Sequence, residues 1–123
     1  NRQIMIMDDE DMIRGMLTLL LKRNKCDVTP ACNGEEAIVA YKAAMETGNP
    51  IDLIIMDLTV PGAMGGKDCM EKILKIDPEA IAIVASGYST APVMADHSAY
   101  GFSGVLQKPY PIDDLLKEID NLL

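Results

Sequence analysis

The sequence predicts one α/β domain built on a parallel sheet, and three observations carry that prediction. Short, almost wholly apolar runs alternate with longer segments whose apolar residues recur at helical spacing, through five successive strand-helix units. The 123 residues fit a single domain, 1–123. Neither an internal repeat nor a low-complexity linker interrupts the alternation.

Ile4-Met5-Ile6-Met7 is the first apolar run and stops at Asp8-Asp9-Glu10-Asp11. Met12, Ile13, Met16, Leu17, Leu20 and Leu21 then recur at helical spacing, with Lys22, Arg23 and Lys25 near the end, where cations suit the helix dipole. Val28-Thr29-Pro30-Ala31 reads as a second strand, and its proline, unable to donate to a ladder, places it at a sheet edge. Asn33 caps a second helix with Glu35 and Glu36 in its first turn and Ala37, Ile38, Tyr41, Ala44 and Met45 as its inner stripe; Gly48-Asn49-Pro50 ends it.

Ile51 to Met56 is nearly all apolar, the mark of a strand buried on both faces, and it ends at Asp57. A loop from Pro61 to Gly66 leads into a helix with Met70, Ile73 and Leu74 inside and Pro78 just beyond. Ala80 to Ala85 is a fourth strand closing at Ser86-Gly87, and Pro92 suits the first turn of a fourth helix reaching about Tyr100. Gly104 to Gln107 is a fifth strand ending at Lys108-Pro109, and Ile112, Leu115, Leu116, Ile119 and Leu122 stripe the last helix. Strand order 2-1-3-4-5 puts the proline-bearing second strand at an edge. Met5, Met7, Met12, Met16, Met45, Met56 and Met70 all fall at core-periodic positions and read as core filler.

Composition narrows the function. Apolar residues make up 49% and charged residues 24%, which suits a packed core and not a disordered chain. A net charge of −8 would be repelled by nucleic acid and by anionic membranes, so neither is an expected direct partner. No apolar run approaches the ~18 residues of a membrane span. Cys26, Cys32 and Cys69 form no CxxC pair and suggest inert thiols in a reducing, cytoplasmic setting. The chain opens on Asn1 and not on methionine, as expected of a segment cut from something longer.

In an open parallel sheet the loops after the strands' carboxyl ends share one rim, and ligands bind there. This chain places Asp8 and Asp9, Asp57, Ser86 and Lys108 on that rim. Clustered carboxylates raise one another's pKa or recruit a cation, and an all-oxygen set suits a hard ion such as Mg²⁺, with Mn²⁺ as a substitute. A lysine and a hydroxyl opposite supply an ammonium and a donor for an anion. Acids, metal, lysine and hydroxyl together suit an aspartate that accepts a phosphoryl group, with Asp57 as nucleophile because it ends the central, most buried strand.

The stretches IMIMDDED, IIMDLTVPG, IVASG and VLQKP resemble the receiver domain of two-component response regulators, along essentially the whole chain. The resemblance implies a flavodoxin-like (βα)5 fold and phosphorylation of Asp57 by a phosphohistidine of a sensor histidine kinase or a histidine phosphotransfer protein. It implies Mg²⁺ bound by Asp9, Asp57 and the backbone carbonyl of Thr59, with Asp8 acting mainly through water. Ser86 and Lys108 would bind the phosphoryl oxygens, the Lys108-Pro109 bond would be cis, and Thr59 and Tyr88 would tune the lifetime of the acyl phosphate. The chain would be an acceptor module and not an enzyme in its own right; nothing in the sequence specifies an oligomeric state.

The stretches DLTVPGAMGGKD and SGYSTAPVMADHSAYGFSGVLQKPY look more narrowly like receivers fused to hybrid sensor histidine kinases. One departure bears on mechanism: receivers usually carry Tyr or Phe where this chain has Val105, which has no ring to swing on phosphorylation. Three rival readings remain open from sequence. They are an aspartyl-phosphate hydrolase of the haloacid-dehalogenase type, a flavodoxin-like flavin binder, and a docking module of the same fold that no longer cycles phosphate. The first needs a second acid or a Thr-Gly run right after its nucleophile, which Asp57-Leu58-Thr59-Val60-Pro61 does not offer. The second needs a hydroxyl- and glycine-rich loop where Asp8-Asp9-Glu10-Asp11 stands.

Overall fold

A computed structural model describes residues 1–87 and 91–123, and shows five strands and their helices in strict alternation. The strands are β1 (Arg2–Met7), β2 (Cys26–Ala31), β3 (Leu53–Asp57), β4 (Ala82–Ser86) and β5 (Gly104–Gln107). The helices are α1 (Asp11–Arg23), α2 (Gly34–Glu46), α3 (Gly66–Ile76), α4 (Pro92–Ala95) and α5 (Ile112–Leu122). All strand pairs are parallel, in the order β2-β1-β3-β4-β5. Pro30 sits opposite Ile6 on the edge strand β2, where a missing N–H is tolerated.

The strands read as unbroken apolar runs because both faces of the sheet are covered. Successive side chains alternate between faces. Met5, Met7, Ile54, Met56, Ala82 and Val84 pack under α2 and α3 with Tyr41, Met70 and Ile73. Ile4, Ile6, Leu53, Ile55, Ile83 and Ala85 pack under α1 and α5 with Leu17, Leu21, Leu115 and Ile119. Asn33 caps α2 as expected, its side chain accepting the Glu36 N–H at 2.9 Å. Among the described residues no helix is long and apolar enough to cross a membrane.

Two expectations need correction. The fourth helix does not run through to Tyr100: α4 ends at Ala95, Asp96 leaves helical geometry at φ −140°, and a 3-10 turn spans His97–Tyr100. Asp96, His97 and Ser98 are weak helix formers, neither segment has a side-chain cap, and in α4 only Val93 is buried to hold it. His97 consequently lies half-buried in that turn. The methionines divide. Met5, Met7, Met56 and Met70 are wholly buried, whereas Met12, Met16 and Met45 are exposed, Met12 by 87%. The apolar stripe of α1 is wider than the face the sheet covers, so Leu17 and Leu21 take the core.

Candidate functional site

Asp8 follows β1 directly, while Asp57 and Ser86 are the last residues of β3 and β4. The register aligns Asp57 with Ala85 across the β3–β4 pair, and Asp8 follows Met7, the partner of Met56. The parallel register therefore brings acids remote in sequence to one rim. Asp8, Asp57 and Ser86 are buried, at 4%, 9% and 2% exposure, and Asp9 is exposed. Carboxylate oxygens of Asp8, Asp9 and Asp57 all lie within 4.8 Å of one another.

Lys108 comes to this cluster from the end of β5. Its main-chain N–H donates to the Ser86 carbonyl at 2.8 Å, and the Lys108-Pro109 bond is cis, as expected. Its Nζ donates to Asp8 Oδ2 at 2.9 Å and stands 3.4 Å from Asp57 Oδ1. Burial pushes the Asp57 carboxyl up to about 6; Lys108 pulls the other way, and the neighbouring charges of Asp8 and Asp9 add to the rise. Burial opposes the charge on Lys108, yet its bonds to Asp8 and Asp57 hold its pKa above the ordinary value. Asp9, Glu10, Asp57, Thr59, Pro61, Ser86, Gly87 and Lys108 line an open cavity of about 460 Å³ above these groups. An all-oxygen cluster of three carboxylates fits a hard divalent cation.

The structure thus brings Asp9, Asp57, Thr59, Ser86 and Lys108 to one cavity, with Asp8 in the same carboxylate cluster and paired with Lys108. Val105 is half-buried opposite Val84, and Tyr88 lies outside the described residues. Cys26 and Cys69 are buried, and burial pushes the Cys69 thiol up to about 12, which keeps it protonated and unreactive.

Two features were not legible in the sequence. Arg14, on α1, donates from Nη1 to the Asp8 carbonyl at 2.7 Å and pairs with Asp11 through Nη2. Gly65 and Gly66 let α3 press against the end of β3. A Cβ on Gly65 would stand 2.3 Å from the Leu58 carbonyl oxygen, and one on Gly66 would stand 2.9 Å from that of Asp57. The Gly66 N–H donates to that same Leu58 oxygen at 3.1 Å. A glycine pair at the start of the helix that follows an acid-tipped strand was the available signal.

Fold and site define a doubly wound α/β protein with an acidic, lysine-paired pocket where the strand order reverses between β1 and β3. Within that class the chain belongs to the response regulator receiver domain family of two-component signalling, whose family model matches residues 4–120. Chemotaxis protein CheY of Thermotoga maritima is 31% identical over 110 residues, which are 89% of this chain and 87% of that one. Among solved structures, the response regulator TrrA of Thermotoga maritima, in complex with Mg(2+)-BeF, superposes with a TM-score of 0.82 at 28% identity, covering 100% of both chains. The receiver domain from hybrid histidine kinase CckA does so with a TM-score of 0.75 at 30% identity, covering 98% of each chain. The relatives therefore include receivers from hybrid kinases, the narrower likeness seen in the sequence.

Proposed function

We propose that this chain, 1–123, is a phospho-acceptor domain in which Asp57 takes the phosphoryl group of a phosphohistidine, with Mg²⁺, and the modified domain changes its protein contacts. The observation that carries this reading is the Lys108 ammonium, shared between Asp8 and Asp57 at the mouth of a cavity wide enough for a phosphoryl group. An Asp57 carboxylate oxygen bonds to phosphorus as the P–N bond to the imidazole breaks; the departing nitrogen keeps the electron pair and takes up a proton. Lys108 and Ser86 bind the phosphoryl oxygens, and the rigid end of β3 holds Asp57 for in-line attack.

Asp9, Asp57 and the Thr59 carbonyl would hold Mg²⁺, or Mn²⁺, which neutralises charge on the phosphoryl oxygens. Asp8 serves through water: each of its carboxylate oxygens already accepts a bond, one from the Glu10 N–H and one from Lys108. That the similar structure of TrrA is a complex with Mg(2+)-BeF supports Mg²⁺ as the ion.

The donor is a sensor histidine kinase or a histidine phosphotransfer protein. Its imidazole must reach Asp57, so its surface must cover the rim. Beside Lys108, Ile13, Met16, Leu17, Pro109 and Tyr110 line an apolar groove of about 350 Å³, and Met16 in it is an exposed methionine, which supports such contact. A relay fed by an ATP-using kinase operates in the cytoplasm. The chain itself acts as an acceptor and not as a turnover enzyme.

Intact mass after incubation with phosphoramidate or acetyl phosphate, with Mg²⁺ and with EDTA, tests the reading. The expected result is a metal-dependent, base-labile phosphoryl adduct on wild type and none on Asp57→Asn. Full labelling of Asp57→Asn would overturn the site assignment. No adduct from any donor would favour the second reading, a docking module of the same fold, for which Val105 in place of a ring is the one supporting observation.

A further inference from the structure

The acidic loop after β1 is tied down by a side chain that the proposed phosphoryl chemistry leaves unused. Asp8 gives its N–H to the Ala31 carbonyl of β2 at 3.0 Å, and its own carbonyl accepts from Arg14 Nη1 at 2.7 Å. Arg14 is not an ordinary surface arginine: its side chain is 15% exposed, whereas Asp11, its other partner, is 91% exposed. Burial opposes its charge, yet the hydrogen bond to Asp11 and the charges around it leave its pKa above the ordinary value, so the guanidinium stays protonated. The loop needs such a tie. Asp8-Asp9-Glu10-Asp11 sets four acids in a row, and Glu10 at the start of α1 provides no side-chain cap. The first turn is held instead by the Glu10 N–H to Asp8 Oδ1 and by Arg14 reaching back across it.

We infer that Arg14 is a positioning residue for the divalent cation: its bond to the Asp8 carbonyl fixes the backbone from which Asp8 and Asp9 project, and so sets the affinity of the cluster for Mg²⁺. The inference rests on the metal-binding reading of Asp8, Asp9 and Asp57. Arg14 also acts in the opposite sense, because a guanidinium near the loop repels a dication. If charge alone mattered, neutralising Arg14 would tighten Mg²⁺ binding; if positioning dominates, it weakens it. Mg²⁺ demands near-octahedral geometry and Ca²⁺ tolerates irregular sites, so lost positioning weakens Mg²⁺ more than Ca²⁺, whereas lost charge moves both alike.

The test is calorimetric titration of Mg²⁺ and of Ca²⁺ into wild type, Arg14→Gln, Arg14→Met and Asp9→Asn, well below the melting temperature of each. Groups that orient metal ligands typically change affinity by about 10- to 100-fold, and the outward carbonyl contact here points to the lower end, about tenfold for Mg²⁺ and less for Ca²⁺. Equal or tighter Mg²⁺ binding by the neutral variants, or an equal loss for both ions, would overturn the role given to Arg14. Two neutral side chains are used so that one that fails to fold leaves the other to decide. Wild type that binds no Mg²⁺, or Asp9→Asn that binds it undiminished, overturns the metal assignment itself, a result distinct from failure of the Arg14 role.

Discussion

Replacing Asp57 by Asn should stabilise the metal-free protein at pH 8 and leave it unchanged near pH 4. Burial lifts the Asp57 carboxyl from the ordinary ~3.9 to about 6, so the fold favours its neutral form. That contribution is fully present below ~3.9 and is lost as pH rises through about 6; above this, wild type carries an ionised carboxylate beside two others. A rise of that size corresponds to up to ~3 kcal/mol, and solvent screening at the open cavity reduces it to about 1–1.5 kcal/mol. Asn is neutral and of the same shape, and Lys108 keeps its partner Asp8 at 2.9 Å. In EDTA at pH 8 the variant should therefore melt about 3–6 °C above wild type, with the gap closing as pH falls through 6. Mg²⁺ at ~100 times its Kd adds about 2.7 kcal/mol to wild type and less to the variant, which reverses the order. Calorimetric melting between pH 4 and 8, with and without Mg²⁺, reads all of this. A variant less stable than wild type at pH 8 in EDTA, or a difference independent of pH, would refute the reasoning.

Gly65→Ala should destabilise the fold by about 2 kcal/mol or more in urea titration, because its methyl would run into the Leu58 carbonyl oxygen, a main-chain atom and not the end of a flexible side chain. Lys108→Ala should lower metal-free stability at pH 8 by roughly 2 kcal/mol, since Asp8 and Asp57 lose their shared cation. The same variant should still accept some label at Asp57, more slowly, in the mass assay. Tyr41→Phe should cost about 1 kcal/mol: it removes the 2.7 Å bond that the buried Tyr41 hydroxyl donates to Asp77, which ties α2 to the end of α3. A urea midpoint equal to wild type would show that water replaces that bond without loss.

The alternation of element types is a local property, which is why nearly every element was legible before any fold was known. A strand covered on both faces must be apolar at every position, as Leu53 to Met56 is, and one with a proline must accept an edge, as β2 does. The rim residues were legible for a related reason. In a parallel sheet every carboxyl end points the same way, so an acid, a hydroxyl or a lysine that ends a strand lands on one edge whatever the tertiary detail. Where sequence reading failed, a choice between neighbours was at stake. Met12 and Met16 share the helical period with Leu17 and Leu21, and only the place where α1 lies on the sheet decides which pair is buried. The break after Ala95 similarly falls at Asp96, His97 and Ser98, which favour a helix weakly and have no side-chain cap to start a new one.

The sequence by itself determined the order of elements, the apolar faces and the identity of the chemical groups at the rim, because periodicity and strand ends are read residue by residue. Only the tertiary structure decided how those groups pair. Lys108 and Asp8 are 100 residues apart, and nothing local says that the ammonium is shared by Asp8 and Asp57 and not given to Asp9. Nor does anything local say that Arg14 turns back onto the Asp8 carbonyl or that α3 closes down until only glycine fits at position 65. Distances of a few ångströms between remote residues follow from how helices settle on the sheet, and that packing is a property of the whole chain.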